Sequence, residues 1–319
     1  MIEASLPISP DSTSLTTFLL SSLAPSSSLS YISMLRKFSL WAANFNLLWL
    51  PASSATLIRY LYYLSQLPSS ISGLKSVWAA ISWAHRLCHL DSPTADGQAR
   101  LAYDAAVRVC ARPPKRSVPI RKTELDTILH YLVNLSTFRL ATLLSLLFYG
   151  TLRISEALSL YPPDLSMSDR SLTLRISKSK TDQACVGHSV YIAFPPTPSP
   201  ITINSLLQSY LHLRKLAGGS YLIPLFPSFR GSTCTSRALS YGRARSELNT
   251  TLRALSLPHH ISFHSFRSGA ATIASASGIP ENLLQQHGRW NSSSSLRKHY
   301  VSYSSDQLLS VSSSLHRAI

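Results

Sequence analysis

The segment Arg112-Pro113-Pro114-Lys115-Arg116-Ser117-Val118-Pro119 limits the fold of this chain more than any other stretch. Proline has no amide hydrogen and a fixed φ, so three prolines in eight residues exclude a helix. The segment reads as an extended basic linker over 112–119. It divides the sequence into an irregular Ser/Pro-rich start at 1–28, a first domain at 29–111 and a second at 120–319.

Helical periodicity begins after residue 28. Tyr31, Leu35, Phe38, Ala42 and Phe45 recur at three- and four-residue steps. Pro51 ends that pattern, and Ser53 or Ser54 caps a second helix with Leu57, Leu61 and Leu64 on its apolar side. Leu74, Trp78, Ile81 and His85 mark a third, and the segment from Thr94 to Ala111 a fourth. Four short amphipathic helices predict a helical bundle. In the second domain, helices are expected at Thr123–Leu135 and Thr137–Phe148, and again at 201–217, 236–255, 265–277, 280–286, 292–302 and, weakly, 306–317. Ser171–Ile176 and His188–Phe194 alternate as strands and predict a hairpin with its loop at Ser177–Gly187. The expected class is mainly α (α+β): a four-helix bundle, then a mainly helical domain with a small antiparallel sheet.

Charge separates the two domains. Residues 1–110 hold 7 basic and 5 acidic side chains, whereas 111–319 hold 23 and 9. A basic excess confined to one domain points to a polyanion, because binding clustered cations to phosphate releases counterions. Cys88, Cys110, Cys185 and Cys234 are scattered without a C-x-x-C pair, which fits free thiols in a reducing, intracellular compartment. His85, Cys88 and His89 lack a second half-site, so no metal is expected. The N-terminus shows no basic leader, and the longest apolar run, Leu140–Leu152, is too short to span a bilayer. A soluble chain with no membrane partner is expected.

Four places in the second domain carry chemistry together. In Gly150-Thr151-Leu152-Arg153-Ile154-Ser155-Glu156, an apolar helix ends and Arg153 opens another, with Glu156 one turn on. The hairpin loop holds Lys178-Ser179-Lys180-Thr181, where a flexible ammonium can reach into a groove and donate a proton. In Phe263-His264-Ser265-Phe266-Arg267, His264 and Arg267 share a helix face near an N-terminus, where amides favour an anion. His287-Gly288-Arg289-Trp290 leads into Arg297-Lys298-His299-Tyr300, and cationic neighbours favour an attacking phenolate.

Taken in order, these motifs resemble the active-site series of the tyrosine recombinases, the phage-integrase-like enzymes, with a flavour of the DIRS and Crypton mobile elements. The resemblance covers the second domain, and the first is similar to the family's core-binding domain. It implies a site-specific recombinase acting on double-stranded DNA without metal, ATP or other cofactor, as a homotetramer on DNA. It implies that Arg153 and Arg267 clamp the scissile phosphate and that Tyr300 attacks it. Lys180 then protonates the leaving 5′ oxygen, His264 moves the tyrosine proton, Trp290 donates its indole N–H, and Glu156 supports His264 or an Arg. Lys115, Arg116, Lys178 and Arg289 are expected to touch DNA. Tyr303 competes with Tyr300 as nucleophile and Lys178 with Lys180 as acid; the H-Y-V and S-K-T contexts favour Tyr300 and Lys180. The Trp290-to-Tyr300 spacing is one residue longer than the family pattern. A type IB topoisomerase uses the same chemistry on one duplex, and a DNA binder that has lost catalysis is the reading of another class.

Overall fold

Ser53, Ser70 and Asp96 each accept a hydrogen bond from the backbone N–H three residues on, and each begins a helix. Such caps satisfy amides that the first turn leaves without partners. The computed structural model describes residues 18–19, 21–112, 117–177 and 187–302. The chain separates into two compact units, Met1–Pro114 and Lys115–Ile319.

The first unit holds α1 (Pro25–Ala43), α2 (Ser54–Ser65), α3 (Ile71–Leu87) and α4 (Gly97–Val109). Phe38, Leu57, Leu61, Leu74, Ile81 and Ala99 form its core, and the Trp78 and Tyr103 rings meet at 4.6 Å. Phe45, read from the sequence as part of the first apolar stripe, lies past the end of α1 and is 61% exposed. His85 is buried; its Nδ1 lies 2.8 Å from the Ile81 carbonyl, and its Nε2 accepts the Ala52 N–H at 2.9 Å. That pairing needs a neutral ring protonated on Nδ1, so the ring serves the bundle rather than a metal.

The second unit is built around α6 (Phe138–Tyr149), which follows α5 (Lys122–Asn134). Every residue from Leu140 to Phe148 is buried, which explains why this stretch is apolar all round rather than amphipathic. α7 (Ile154–Leu158) leads to a three-stranded antiparallel sheet ordered β1 (Leu165–Met167), β2 (Ser171–Ile176), β3 (His188–Ala193). Leu172 pairs with Ile192 and Leu174 with Val190, so one sheet face is apolar and faces the core. After α8 (Ile203–Leu216) come β4 (Pro227–Arg230) and β5 (Thr233–Ala238), an antiparallel hairpin. The helix expected from 236 begins only with α9 (Tyr241–Ala254). Thr233–Ala238 is drawn into the hairpin, and Ser240, not an earlier residue, caps the helix. α10 (Phe263–Ala276), α11 (Glu281–Gly288) and α12 (Ser293–His299) complete the described unit. The expected segment 306–317 lies outside the described residues. Among those described, no helix is long and apolar enough to cross a membrane.

Gly269 lets α10 sit against the chain entering this unit. A Cβ there would overlap the Ile120 carbonyl oxygen and crowd its side chain. The Ile120 N–H meanwhile bonds the Ser265 carbonyl at 3.0 Å. Gly269→Ala should therefore destabilise the protein, although alanine is the better helix former by about 1 kcal/mol. The overlap is with backbone, which cannot rotate away, and overpacking of that kind costs about 1–3 kcal/mol or more. A denaturant titration should show a net loss near ~2 kcal/mol; an unchanged midpoint would mean that the 117–120 segment is not held in this way.

Candidate active site

The site begins with a strained turn. α6 stops at Gly150, where a Cβ would crowd the Leu146 carbonyl and the Ile192 and Leu152 side chains. Thr151 then takes φ 44°, a left-handed value that a β-branched residue rarely adopts. The turn leaves the Thr151 carbonyl as an acceptor for two guanidiniums, those of Arg267 and Arg289.

Arg153 follows as the N-cap of α7. Its N–H donates to Glu156 Oε2 at 2.8 Å and its Nη1 to Oε1 at 2.6 Å. Glu156 Oε2 also accepts from Arg289 Nη2 at 2.8 Å. Burial opposes ionisation of the Glu156 carboxyl. The charges of Arg289 and Arg153, with the Arg153 N–H, outweigh burial and hold it below the usual carboxylate range. Glu156 thus supports two arginines. At 15% side-chain exposure, Arg153 keeps some access to solvent, whereas the Glu156 side chain is 1% exposed.

Arg267 rises from α10 into the centre and is fully buried. Nη1 donates to the Thr151 carbonyl and Nη2 to the Gly288 carbonyl. The Trp290 and Tyr300 rings cover its guanidinium at 4.4 and 5.1 Å, and they lie 5.0 Å from each other. Burial and the nearby Arg153 push its pKa down to about 9, so it remains a cation at neutral pH. The fork expected to clamp a phosphate is occupied here by protein carbonyls, because a buried guanidinium must be satisfied.

Gly288 ends α11, and a side chain there would collide with the Trp290 ring. Arg289 follows at φ 55°. Expected at the DNA surface, it is 7% exposed and turned inward, with Nη2 on Glu156 and Nη1 on the His287 carbonyl at 3.0 Å. A carboxylate on another element draws it in, and no local pattern announces that. Trp290 is buried, and its indole N–H has no partner among the described residues. Tyr300 closes α12: its N–H bonds the Leu296 carbonyl at 2.9 Å, and its own carbonyl accepts from Thr272 Oγ1 at 3.2 Å. His264 stands exposed in the first turn of α10, three residues before Arg267. Lys115, Arg116, Lys178, Lys180 and Tyr303 lie outside the described residues.

Arg153, Glu156, Arg267, Arg289, Trp290 and Tyr300 therefore meet, although they are scattered over almost 150 residues of sequence. Three guanidiniums face one carboxylate, which leaves a fixed positive excess beside an aromatic hydroxyl. Such a set can stabilise added negative charge. The family model described as Phage integrase family matches residues 119–306, more than half of the chain.

The chain belongs to the phage integrase family.

Solved tyrosine recombinases share the fold. A lambda integrase dimer bound to a COC′ core site is 18% identical, covering 89% of this chain and 74% of that one at a TM-score of 0.56. The Tn1549 transposon integrase with a circular intermediate DNA is 15% identical, covering 82% and 85% at 0.55. XerH bound to its difH substrate before cleavage is 17% identical, covering 86% and 76% at 0.54. No curated protein matches the sequence.

In this integrase-family site the sequence alone did not single out Thr151 or His287. His287 Nε2 lies 3.0 Å from the Tyr149 carbonyl and so carries the proton, joining α11 to the end of α6. The signal was present in the H-G-R-W run, but its partner, the Tyr149 carbonyl, lies 138 residues away. Burial lowers the His287 pKa, the bond to Tyr149 opposes this, and Arg289 and Arg267 reinforce it. The folded state therefore prefers the neutral ring. Its contribution is full above the unfolded pKa of about 6.5 and is lost as pH falls through the lower folded value. The melting temperature should fall more between pH 7 and 5 for the parent chain than for His287→Gln, which keeps an N–H donor but does not titrate. Parallel curves would show that His287 is not linked to folding.

Proposed function

We propose that this protein is a site-specific DNA recombinase that cuts and rejoins duplex DNA through a 3′-phosphotyrosyl link at Tyr300. The observation that carries this reading is the stacking of the Tyr300 ring on Arg267, beside two further arginines that share the Glu156 carboxylate. The cluster suits a phosphodiester whose charge grows as a fifth oxygen bonds to phosphorus.

In this scheme Arg153 and Arg267 take the nonbridging oxygens, Arg267 reaching them once the Tyr300 ring moves off its guanidinium. The Tyr300 oxygen attacks phosphorus, and its proton passes to His264. The bond to the 5′ oxygen breaks, and Lys180 supplies the proton to that leaving group. Trp290 offers its indole N–H, which has no partner among the described residues, to the same phosphate. The covalent link conserves the bond energy, so a 5′-hydroxyl from another strand can reverse the step without ATP. Exchange between two duplexes requires four strands to be cut, each by one tyrosine, and hence four protomers on DNA. Lys115, Arg116 and Lys178 would add positive charge for the duplex, and the mobile-element character of the reading rests on the same likeness.

The test is to incubate the full chain with a library of nicked duplexes randomised over a central segment. Covalent adducts are recovered under denaturing conditions, and the modified peptide is mapped. The expected adduct is on Tyr300. No adduct with any member would reject the reading, and adduct on Tyr303 would move the nucleophile. Relaxation of supercoils without strand exchange between duplexes would point to a topoisomerase.

A further inference from the structure

The structure assigns Arg289 a role that its exposed-looking sequence context conceals: we propose that it is a positioning residue, which sets Arg153 through Glu156 and holds the Thr151 carbonyl beside Arg267. The proposal rests on the recombinase reading above.

Two observations converge on it. The first is backbone. Arg289 is the C-cap of α11 at φ 55° and ψ 44°, a position where glycine is the usual occupant because it has no Cβ to clash. An arginine kept there is held by what its side chain does. The second is the side chain. Its Nη2 reaches Glu156 Oε2 at 2.8 Å and the Thr151 carbonyl at 3.4 Å, while Nη1 caps the His287 carbonyl at 3.0 Å. Its side chain is 3% exposed, and both terminal nitrogens are engaged by protein acceptors. Glu156 gives its other oxygen to Arg153 Nη1, so the two arginines are joined through one carboxylate. Thr151 joins Arg289 to Arg267 in the same way. Arg289 therefore sits where the strained turn, Glu156 and the end of α11 are tied together.

Arg289→Gly tests this, because glycine accepts the left-handed backbone while the whole side chain is lost. On nicked duplexes selected from the library by the parent chain, adduct formation should slow by about 10- to 100-fold, as is usual when support for an active-site group is removed. Affinity for the intact duplex, and its dependence on salt, should not change. Arg289→Lys should recover part of the rate, since an ammonium still faces Glu156. Combining Arg289→Gly with Arg153→Lys should slow the reaction by clearly less than the product of the two single defects, the signature of residues that act in part as one unit.

A fall in the log–log salt slope of about one would show a direct phosphate contact and overturn the proposal. So would an unchanged cleavage rate, or single-variant defects that multiply in the pair. Should the glycine variant fail to fold, Arg289→Lys and its pairing with Arg153→Lys carry the same comparisons. A parent chain that forms no adduct overturns the recombinase reading and this role with it. A parent that forms adduct beside an equally active Arg289→Gly overturns this role alone.

Discussion

A Tyr300→Phe chain is expected to bind duplex DNA as the parent does, to melt at nearly the same temperature, and to form no covalent adduct. The ring does the structural work here. It lies 5.0 Å from Trp290 and 5.1 Å from the Arg267 guanidinium, and phenylalanine supplies the same ring. The backbone contacts to Leu296 and Thr272 involve only the N–H and carbonyl of residue 300. Stability should therefore stay within about 0.5 kcal/mol. The chemistry has no such reserve. Removing an enzyme nucleophile costs on the order of 10⁶-fold, so adduct on the selected nicked duplex should vanish from a denaturing gel. Retained adduct would show that another hydroxyl attacks, with Tyr303 the first to be examined by peptide mapping.

How much of this could be read from the sequence depends on where the controlling partner lies. The α6 run from Leu140 to Phe148 was legible because a helix buried on every side is apolar at every position. Arg153 and Glu156 were legible as a pair because three residues along a short helix bring side chains together. Arg267 stood out because its place beside His264 suits an anion. The inward pose of Arg289 was not legible for the opposite reason. Its partner, Glu156, is 133 residues away, and a guanidinium with no visible local partner is ordinarily placed at the surface. The left-handed Thr151 was hidden because threonine does not advertise that conformation as glycine would. Local pattern also failed at 233–238, where a hairpin partner outweighed the helical reading of the following residues. Short strands such as β1, three residues long, carry too little alternation to be seen.

Replacing Arg267 by Ala is the harsher change, since it should abolish adduct formation and also weaken the fold. The Gly288 carbonyl would lose its donor, the Thr151 carbonyl would keep only the longer bond from Arg289 at 3.4 Å, and the Trp290 and Tyr300 rings would face a void. One orphaned buried carbonyl costs about 1–3 kcal/mol, and truncating a large core side chain costs about 2–5 kcal/mol. One effect runs the other way. Burial first, and then Arg153 and Arg289, disfavour the Arg267 charge, so its removal relieves desolvation and repulsion. Glu156 keeps both of its partners in the variant, so no lone carboxylate is left behind. The orphaned Gly288 carbonyl and the void together outweigh that relief, and a net loss of about 3 kcal/mol is expected. For a unit of this size that lowers the melting temperature by roughly 6–12 °C. Arg267→Lys should fall between, because one ammonium cannot reproduce a planar fork spanning two carbonyls. A variant without Arg267 that melts with the parent would mean that the guanidinium does not hold α6, α10 and α11 together, and its inward pose would lose its structural explanation.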